Sequence, residues 1–145
     1  MAVTNKGYLE AAHKQAYAQV RTGMQAWIGT QSTISDLPSI SVGQRLQGNQ
    51  SEEVIITMTS HVADRNSGYI RHTYNFTAHH FSKNYVLSTS MADHTAEYLM
   101  DQTGTLPTPN SGTEYKTNVS SQFMYYTDED DYNSQVEFSI TVIDQ

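Results

Sequence analysis

The chain contains no cysteine among its 145 residues. This excludes a disulfide framework, a thiolate metal site and a cysteine nucleophile. Positive charge is scarce, since eight Lys and Arg stand against 15 Asp and Glu, for a net charge of −7. Phosphate contacts need clustered Lys and Arg, so a sequence-reading nucleic-acid binder is not expected. Long apolar runs are missing, so we expect no membrane span and no secretory signal.

Catalytic signatures are missing as well. No G-x-x-x-x-G-K phosphate loop and no G-x-S-x-G nucleophile elbow occurs. The acidic run 128–131 lacks the central Gly and the distal Glu of an EF-hand loop. Neighbouring carboxylates on one turn also do not supply the separation that glycoside hydrolysis needs. We therefore predict that the protein is not an enzyme and that it binds no metal and no cofactor.

Six histidines are the remaining candidate ligands, namely His13, His61, His72, His79, His80 and His94. His61 and His72 lie on strands that we expect to pair, so they can approach each other, and His80 can share a face with His72. A zinc site needs three or four converging ligands, and no HExxH spacing is present. We interpret the histidines as surface or boundary residues.

Charge is distributed unevenly along the chain. Residues 1–50 carry a net charge of +2, residues 51–100 carry −2, and residues 101–145 carry −7. Such a polarised molecule can dock head-to-tail on copies of itself, because an acidic patch attracts a neighbour's basic patch. The alternative is a solvated acidic hairpin tip that only keeps the protein soluble.

The last third of the chain shows the clearest structural pattern. Residues 119–126 and 132–143 alternate in polarity, and the acidic segment 127–131 joins them. The second run has one apolar side, formed by Val136, Phe138, Ile140 and Val142. Its other side is polar, formed by Gln135, Glu137, Ser139 and Thr141. This alternation predicts an antiparallel hairpin with one face in a core.

Two segments have helical spacing. Residues 6–28 predict an amphipathic helix, which Thr4 or Asn5 can cap and which Gly29 can end. Its apolar face consists of Leu9, Ala12, Ala16, Val20, Met24 and Trp27. Residues 84–100 predict a second helix.

Three further strands are predicted at 39–45, 53–62 and 69–81, with Val54, Ile56, Met58 and Val62 on one face of the second. Segments 64–68 and 101–112 are rich in turn residues and predict loops. The predicted order is α-β-β-β-α-β-β in a single domain, residues 1–145. The expected class is α+β, an antiparallel sheet with two helices packed on one face.

This arrangement resembles a known family. The amphipathic helix is followed by the strand start Leu37-Pro38-Ser39-Ile40-Ser41-Val42. The closing hairpin runs from Gln122-Phe123-Met124-Tyr125-Tyr126 through the acidic turn to an alternating strand. In this order and length the chain resembles the lambda-type tail terminator proteins of long-tailed bacteriophages, and also the related tail-completion and neck proteins.

The resemblance implies a structural virion protein. Family members form a hexameric ring that caps the tail tube, stops its polymerisation and joins it to the head connector. The implied partners are further copies of the chain, the tail tube protein and a head-completion protein, while DNA passes through the channel without specific binding. Such a protein is assembled in the host cytoplasm and resides in the tail or neck of the virion.

The predicted contact residues between copies follow from charge. We pair Arg21, Arg45 and Arg71 with a neighbour's Asp128, Glu129, Asp130 and Asp131. Tyr125 and Tyr126 are either interface anchors or one core and one rim residue.

Three alternatives stay open at this point. The first is another neck, head-completion or tail-tube subunit of the same particle. The second is a small carbohydrate-binding module that uses exposed Tyr69, Tyr74, Tyr125 and Tyr126. The third is a metal-dependent or acid–base enzyme with helices on a sheet.

Overall fold

The computed structural model describes residues 7–43, 52–66, 68–107, 113–126 and 131–144. Two helices and six strands lie in these ranges: α1 (Tyr8–Ile28), β1 (Ser39–Val42), β2 (Glu53–Asn66), β3 (Tyr69–Ser82), α2 (Tyr85–Leu99), β4 (Thr103–Thr105), β5 (Glu114–Tyr126) and β6 (Tyr132–Asp144). The predicted α+β class is confirmed. The prediction missed only β4, which lies in the segment expected to be a loop.

The strands form one sheet in the order β1-β2-β3-β6-β5-β4. β1 runs parallel to β2, and all other neighbours are antiparallel. The predicted closing hairpin is β5–β6, and its last strand inserts next to β3 at the centre of the sheet. The hairpin turns of β2–β3 and β5–β6 therefore lie at opposite ends of the sheet.

Both helices pack on one face of this sheet, as predicted. The core joins helical residues such as Val20, Met24 and Met91 to Phe76 and Phe138 on the two central strands. Burial removes this apolar area from water, which is the main term that stabilises the fold. The four apolar residues of β6 face this core, and the polar side of β6 faces away, as predicted.

The first helix differs from the prediction at its start. It begins at Tyr8, and its N-cap is Gly7 with φ of +68°, a conformation that suits glycine. The predicted caps, Thr4 and Asn5, lie outside the described residues. Leu9 was expected in the core, but its side chain is 48% exposed. Tyr8 packs against the core instead, with its ring 5.5 Å from the His72 ring.

Several strand boundaries also differ. β2 continues to Asn66 rather than Val62, because pairing with β3 persists to the last residue before the turn. β5 begins at Glu114 rather than 119, and β1 ends at Val42. The second helix, Tyr85–Leu99, agrees with the predicted segment 84–100. Asn84 caps its start, because its carboxamide oxygen accepts hydrogen bonds from the backbone N–H of Val86 and Leu87.

Candidate assembly surfaces

The face of the sheet opposite the helices carries a band of small polar residues. On β3 and β6 the register places Thr73 beside Thr141, and Asn75 beside Ser139. Asn118 of β5 continues the second of these rows. We call this side the uncovered face, because no described helix packs on it. At the end of this face away from Thr73, the side chains of Ile55, Thr77, Asn133 and Gln135 are nevertheless buried. A hydroxyl- and amide-rich surface with few charges can contact water or polar partners without a strong preference for one ligand.

One end of the uncovered face forms an open groove of about 1210 Å³. Its walls include Arg71 from β3, Lys116 from β5 and several threonines. Glu114 lies in the same wall, so charges of both signs are present. Among the described residues, no histidine lines the groove, and Glu114 is its one carboxylate.

In the part of the chain that the structure describes, strands cover the two outer edges of the sheet over only part of their length. β1 pairs with residues 53–56 of β2, and β4 pairs with residues 114–116 of β5. Beyond them, residues 57–66 and 118–126 have no neighbouring strand on their outer side among the described residues. We call these segments the open halves of β2 and β5. Outward N–H and C=O groups of such edges are available for pairing with another chain.

The predicted approach of His61 and His72 is confirmed. Their Nε2 and Nδ1 atoms lie 3.1 Å apart, and the His61 ring stacks on Tyr74 with a centroid distance of 4.4 Å. The pair brings two nitrogens together, and no group of three or more metal-ligating side chains occurs in the described part of the chain. Burial raises the pKa of Tyr74.

The prediction that all histidines lie at the surface or boundary is wrong for His80. Its side chain is fully buried between α2, β3 and β6. Its Nδ1 lies 2.8 Å from the Ser134 carbonyl oxygen, and its Nε2 lies 2.7 Å from the Thr95 hydroxyl. The carbonyl accepts only, so Nδ1 carries the proton and Thr95 donates to Nε2. Desolvation by burial lowers the pKa of His80 to about 4.

Ser88 completes this buried polar cluster. Its hydroxyl donates to the His80 carbonyl oxygen and contacts the Ser134 hydroxyl, each at 2.8 Å. The cluster thus ties α2 to both central strands, which gives these polar groups a structural role. Sequence reasoning had no signal for it, because a single His in an alternating strand does not reveal what packs over it.

The predicted interface residues are spread over the fold. Arg21 is exposed on α1, and Arg71 is exposed on the uncovered face. Asp131 is only 4% exposed, so little of its side chain is accessible in the isolated subunit. Tyr125 and Tyr126 form the end of β5. The remaining members, Arg45, Asp128, Glu129 and Asp130, lie outside the described residues, and the pairing stays a prediction.

One of the four tyrosines on which the carbohydrate-binding alternative depends is not exposed. Tyr74 was taken as exposed, but it is 2% exposed and belongs to the core cluster under the helices. A stacking platform for sugars needs ring faces open to solvent, which Tyr74 does not have. Neither described helix is long and apolar enough to cross a bilayer.

Comparisons with known proteins give a match at the level of structure. No family model matches the sequence, and no curated protein matches it. A chain from the structure "Virion of native gene transfer agent (GTA) particle" has the same fold, with a TM-score of 0.63 and 12% sequence identity. The match covers 93% of this chain and 94% of that chain. The two chains therefore share one architecture over nearly their whole lengths.

Proposed function

We propose that the protein is a structural component of a phage-like virion, and more specifically a tail terminator-like ring subunit. Such a ring caps the tail tube, stops its polymerisation and joins it to the head connector. The likeness to a virion chain carries the proposal, because it extends over 93% of this chain and 94% of that chain. The chain has no enzymatic role and needs no cofactor in this proposal.

The surfaces suit assembly around DNA. The uncovered face offers mainly Thr, Ser and Asn side chains. Glu137 lies in its central rows, and Arg71 and Lys116 lie at one end. Phosphate binding requires clustered cations, so such a face lets DNA pass without specific binding. The net charge of −7 adds like-charge repulsion between the ring and the DNA.

The proposed partners are further copies of this chain, the tail tube protein and a head-completion protein. Arg21 and Arg71 are exposed and available for contacts with a neighbour. In the proposal they attract the acidic segment 128–131 of the next copy, which steers head-to-tail docking. The ring is a hexamer, is assembled in the host cytoplasm and resides in the neck of the virion.

Native mass spectrometry and negative-stain electron microscopy test the proposal. The purified protein, alone and mixed with tail tubes, is expected to form closed rings of one size and to halt tube growth. Long cylinders of the protein alone would instead identify a tube subunit of the same particle. A protein that stays monomeric alone and with tubes would contradict both roles.

A further inference from the structure

We infer that neighbouring copies in the ring join by main-chain pairing, the open half of β2 in one copy with the open half of β5 in the next. This inference rests on the proposed ring function and names its contact surface. The occupant of each edge is therefore a second copy of this chain. Both edges are used once per copy, as a head-to-tail contact requires.

The open half of β5 lacks the charged and Pro residues that protect many edge strands, and its bulge is confined to the stretch between Val119 and Ser121. Natural proteins guard such edges with charged residues, with Pro or with covering segments. Residues 118–126 contain no charged residue and no Pro. Residues 120–124 are all exposed, and so are residues 59–65 of the other open half. The uncharged stretch of β5 is a template for pairing, and a dedicated partner explains why it is tolerated. The open half of β2 carries two charged residues, Asp64 and Arg65, near its end.

The direction of the strands fits a cyclic contact. β3 runs opposite to β2, β6 runs opposite to β3, and β5 runs opposite to β6. Consequently β2 and β5 run in opposite senses within one copy. Rotation about a ring axis preserves the sense of each strand along that axis. The two open halves of neighbouring copies therefore meet antiparallel, which is the more stable pairing per residue.

The offset between the two open halves predicts the tilt of the strands. The middle of residues 57–66 is level with Tyr74 of β3, whereas the middle of residues 118–126 is level with Ala78. Overlap of the open halves thus shifts neighbouring copies by about four residues, or roughly 14 Å along the strands. Four strands per copy span about 19 Å across the sheet. A planar ring then has strands tilted by about 36° from its axis, within the 35–45° typical of closed barrels.

Closure also fixes which face lines the channel. Six copies with four strands each give a barrel of about 24 strands with a backbone radius of roughly 23 Å. A barrel of 16–18 strands already encloses an aqueous channel, so this one is wide open. Because α1 and α2 need space outside the barrel wall, the uncovered face with Thr73, Asn75 and Ser139 lines the channel.

Disulfide trapping tests the pairing, and the absence of native cysteine gives a clean background. Val62 and Phe123 are 53% and 45% exposed, and both point to the uncovered face, as does Ser121. We would combine Val62→Cys with either Ser121→Cys or Phe123→Cys, which samples two registers. Cross-strand neighbours have Cα atoms about 4.5–5.5 Å apart, within reach of a disulfide.

The expected result is that mild oxidation links one of the two double variants into a ladder that ends in a closed covalent ring. The matched control is Ala63→Cys with the same partners, because Ala63 points to the helix side of the sheet. If rings form but the double variants give no more disulfide than this control, the strand pairing is refuted and the ring function is unaffected. Protein that stays monomeric with tail tubes would overturn both.

Hydrogen exchange on the unaltered protein gives a second measurement that does not depend on variant folding. Capping of tail tubes is expected to slow exchange at least tenfold for outward amides in residues 60–66 and 121–126. Amides in α2, such as those of residues 88–96, serve as an internal reference and keep their rates. Unchanged exchange in the open halves of an assembled ring would refute the inference.

Discussion

Protonation of His80 is expected to destabilise the fold. The ring is fully buried, and as a neutral Nδ1–H tautomer it has both nitrogens hydrogen bonded, to Ser134 and Thr95. A proton added to Nε2 places a positive charge in a cluster of Ser and Thr hydroxyls with no carboxylate among the hydrogen-bond partners of the ring. Desolvation therefore disfavours the charged form, and the pKa falls from 6.5 to about 4.

The sign and size of the effect follow from linkage. Between pH 6.5 and about 4 the unfolded chain binds a proton at His80 and the folded chain does not. Stability is therefore complete above pH 6.5 and decreases as the pH falls towards 4. One pKa unit corresponds to about 1.4 kcal/mol, so this histidine accounts for a loss on the order of 3 kcal/mol across that window.

Urea unfolding at several pH values between 7 and 4 measures this effect. Carboxylates also titrate near the lower limit, so the informative quantity is the difference between the original protein and a His80→Gln variant. His80→Gln is expected to be less stable at pH 7, because the cluster is disrupted, and to lose less stability on acidification. His94→Gln is the control, since His94 is a histidine on α2 that contacts the Ser90 carbonyl outside the buried cluster.

A His80→Gln variant whose free energy of unfolding falls with pH as steeply as that of the original protein would refute this reasoning. It would mean that the charged ring is accommodated, through water entry or a shift of Thr95. The same slope in His80→Gln and His94→Gln would point to carboxylates as the source of the acid sensitivity.

Three further predictions address the helices and the acidic segment. Asn84→Ala removes the cap of α2 and is expected to cost about 1 kcal/mol in urea unfolding; an unchanged midpoint would contradict the cap's role. Trp27→Ala is expected to cost about 3–5 kcal/mol, because it leaves a cavity and removes the 3.0 Å hydrogen bond from the indole N–H to Ser90; a loss below about 1 kcal/mol would show that the site collapses. Reversal of the three charges at 128–130 to Lys, which leaves the buried Asp131 unchanged, is expected to weaken ring formation, most visibly at low salt, in native mass spectrometry; unchanged assembly would remove the charge pairing and leave the edge pairing in place.

The sequence was sufficient for the helices and for the faces of β6, because period and polarity are local properties. It failed for Val62, which was expected to share a face with Val54 and Met58. The extra residue near Thr59 shifts the register with β3, so Val62 points to the uncovered face and His61 to the helix side. A one-residue slip exchanges the two faces of a strand, and nothing in the alternation of β2 reveals a bulge.

The assembly surfaces were less predictable than the fold. Charge counts indicated Arg21 and Arg71 as contacts, and these are exposed. The open edges were not anticipated, because an edge is defined by which strand is absent beside it. That depends on the insertion of β6 between β3 and β5 and on the three residues of β4, both of which are set by tertiary packing.

The two bulges bear on whether the open halves are built for pairing. Register shifts occur at Met58/Ser60 in β2 and at Val119/Ser121 in β5, each just beyond the part that β1 or β4 covers. A bulge can blunt an edge against association, but it also bends a strand and increases its twist. Here each bulge is followed by a regular paired stretch, residues 60–66 and 121–126, long enough to form a ladder. The bulges thus lie between the parts that β1 and β4 cover and the open halves. In the proposed ring, the regular stretches beyond the bulges pair with a neighbouring copy.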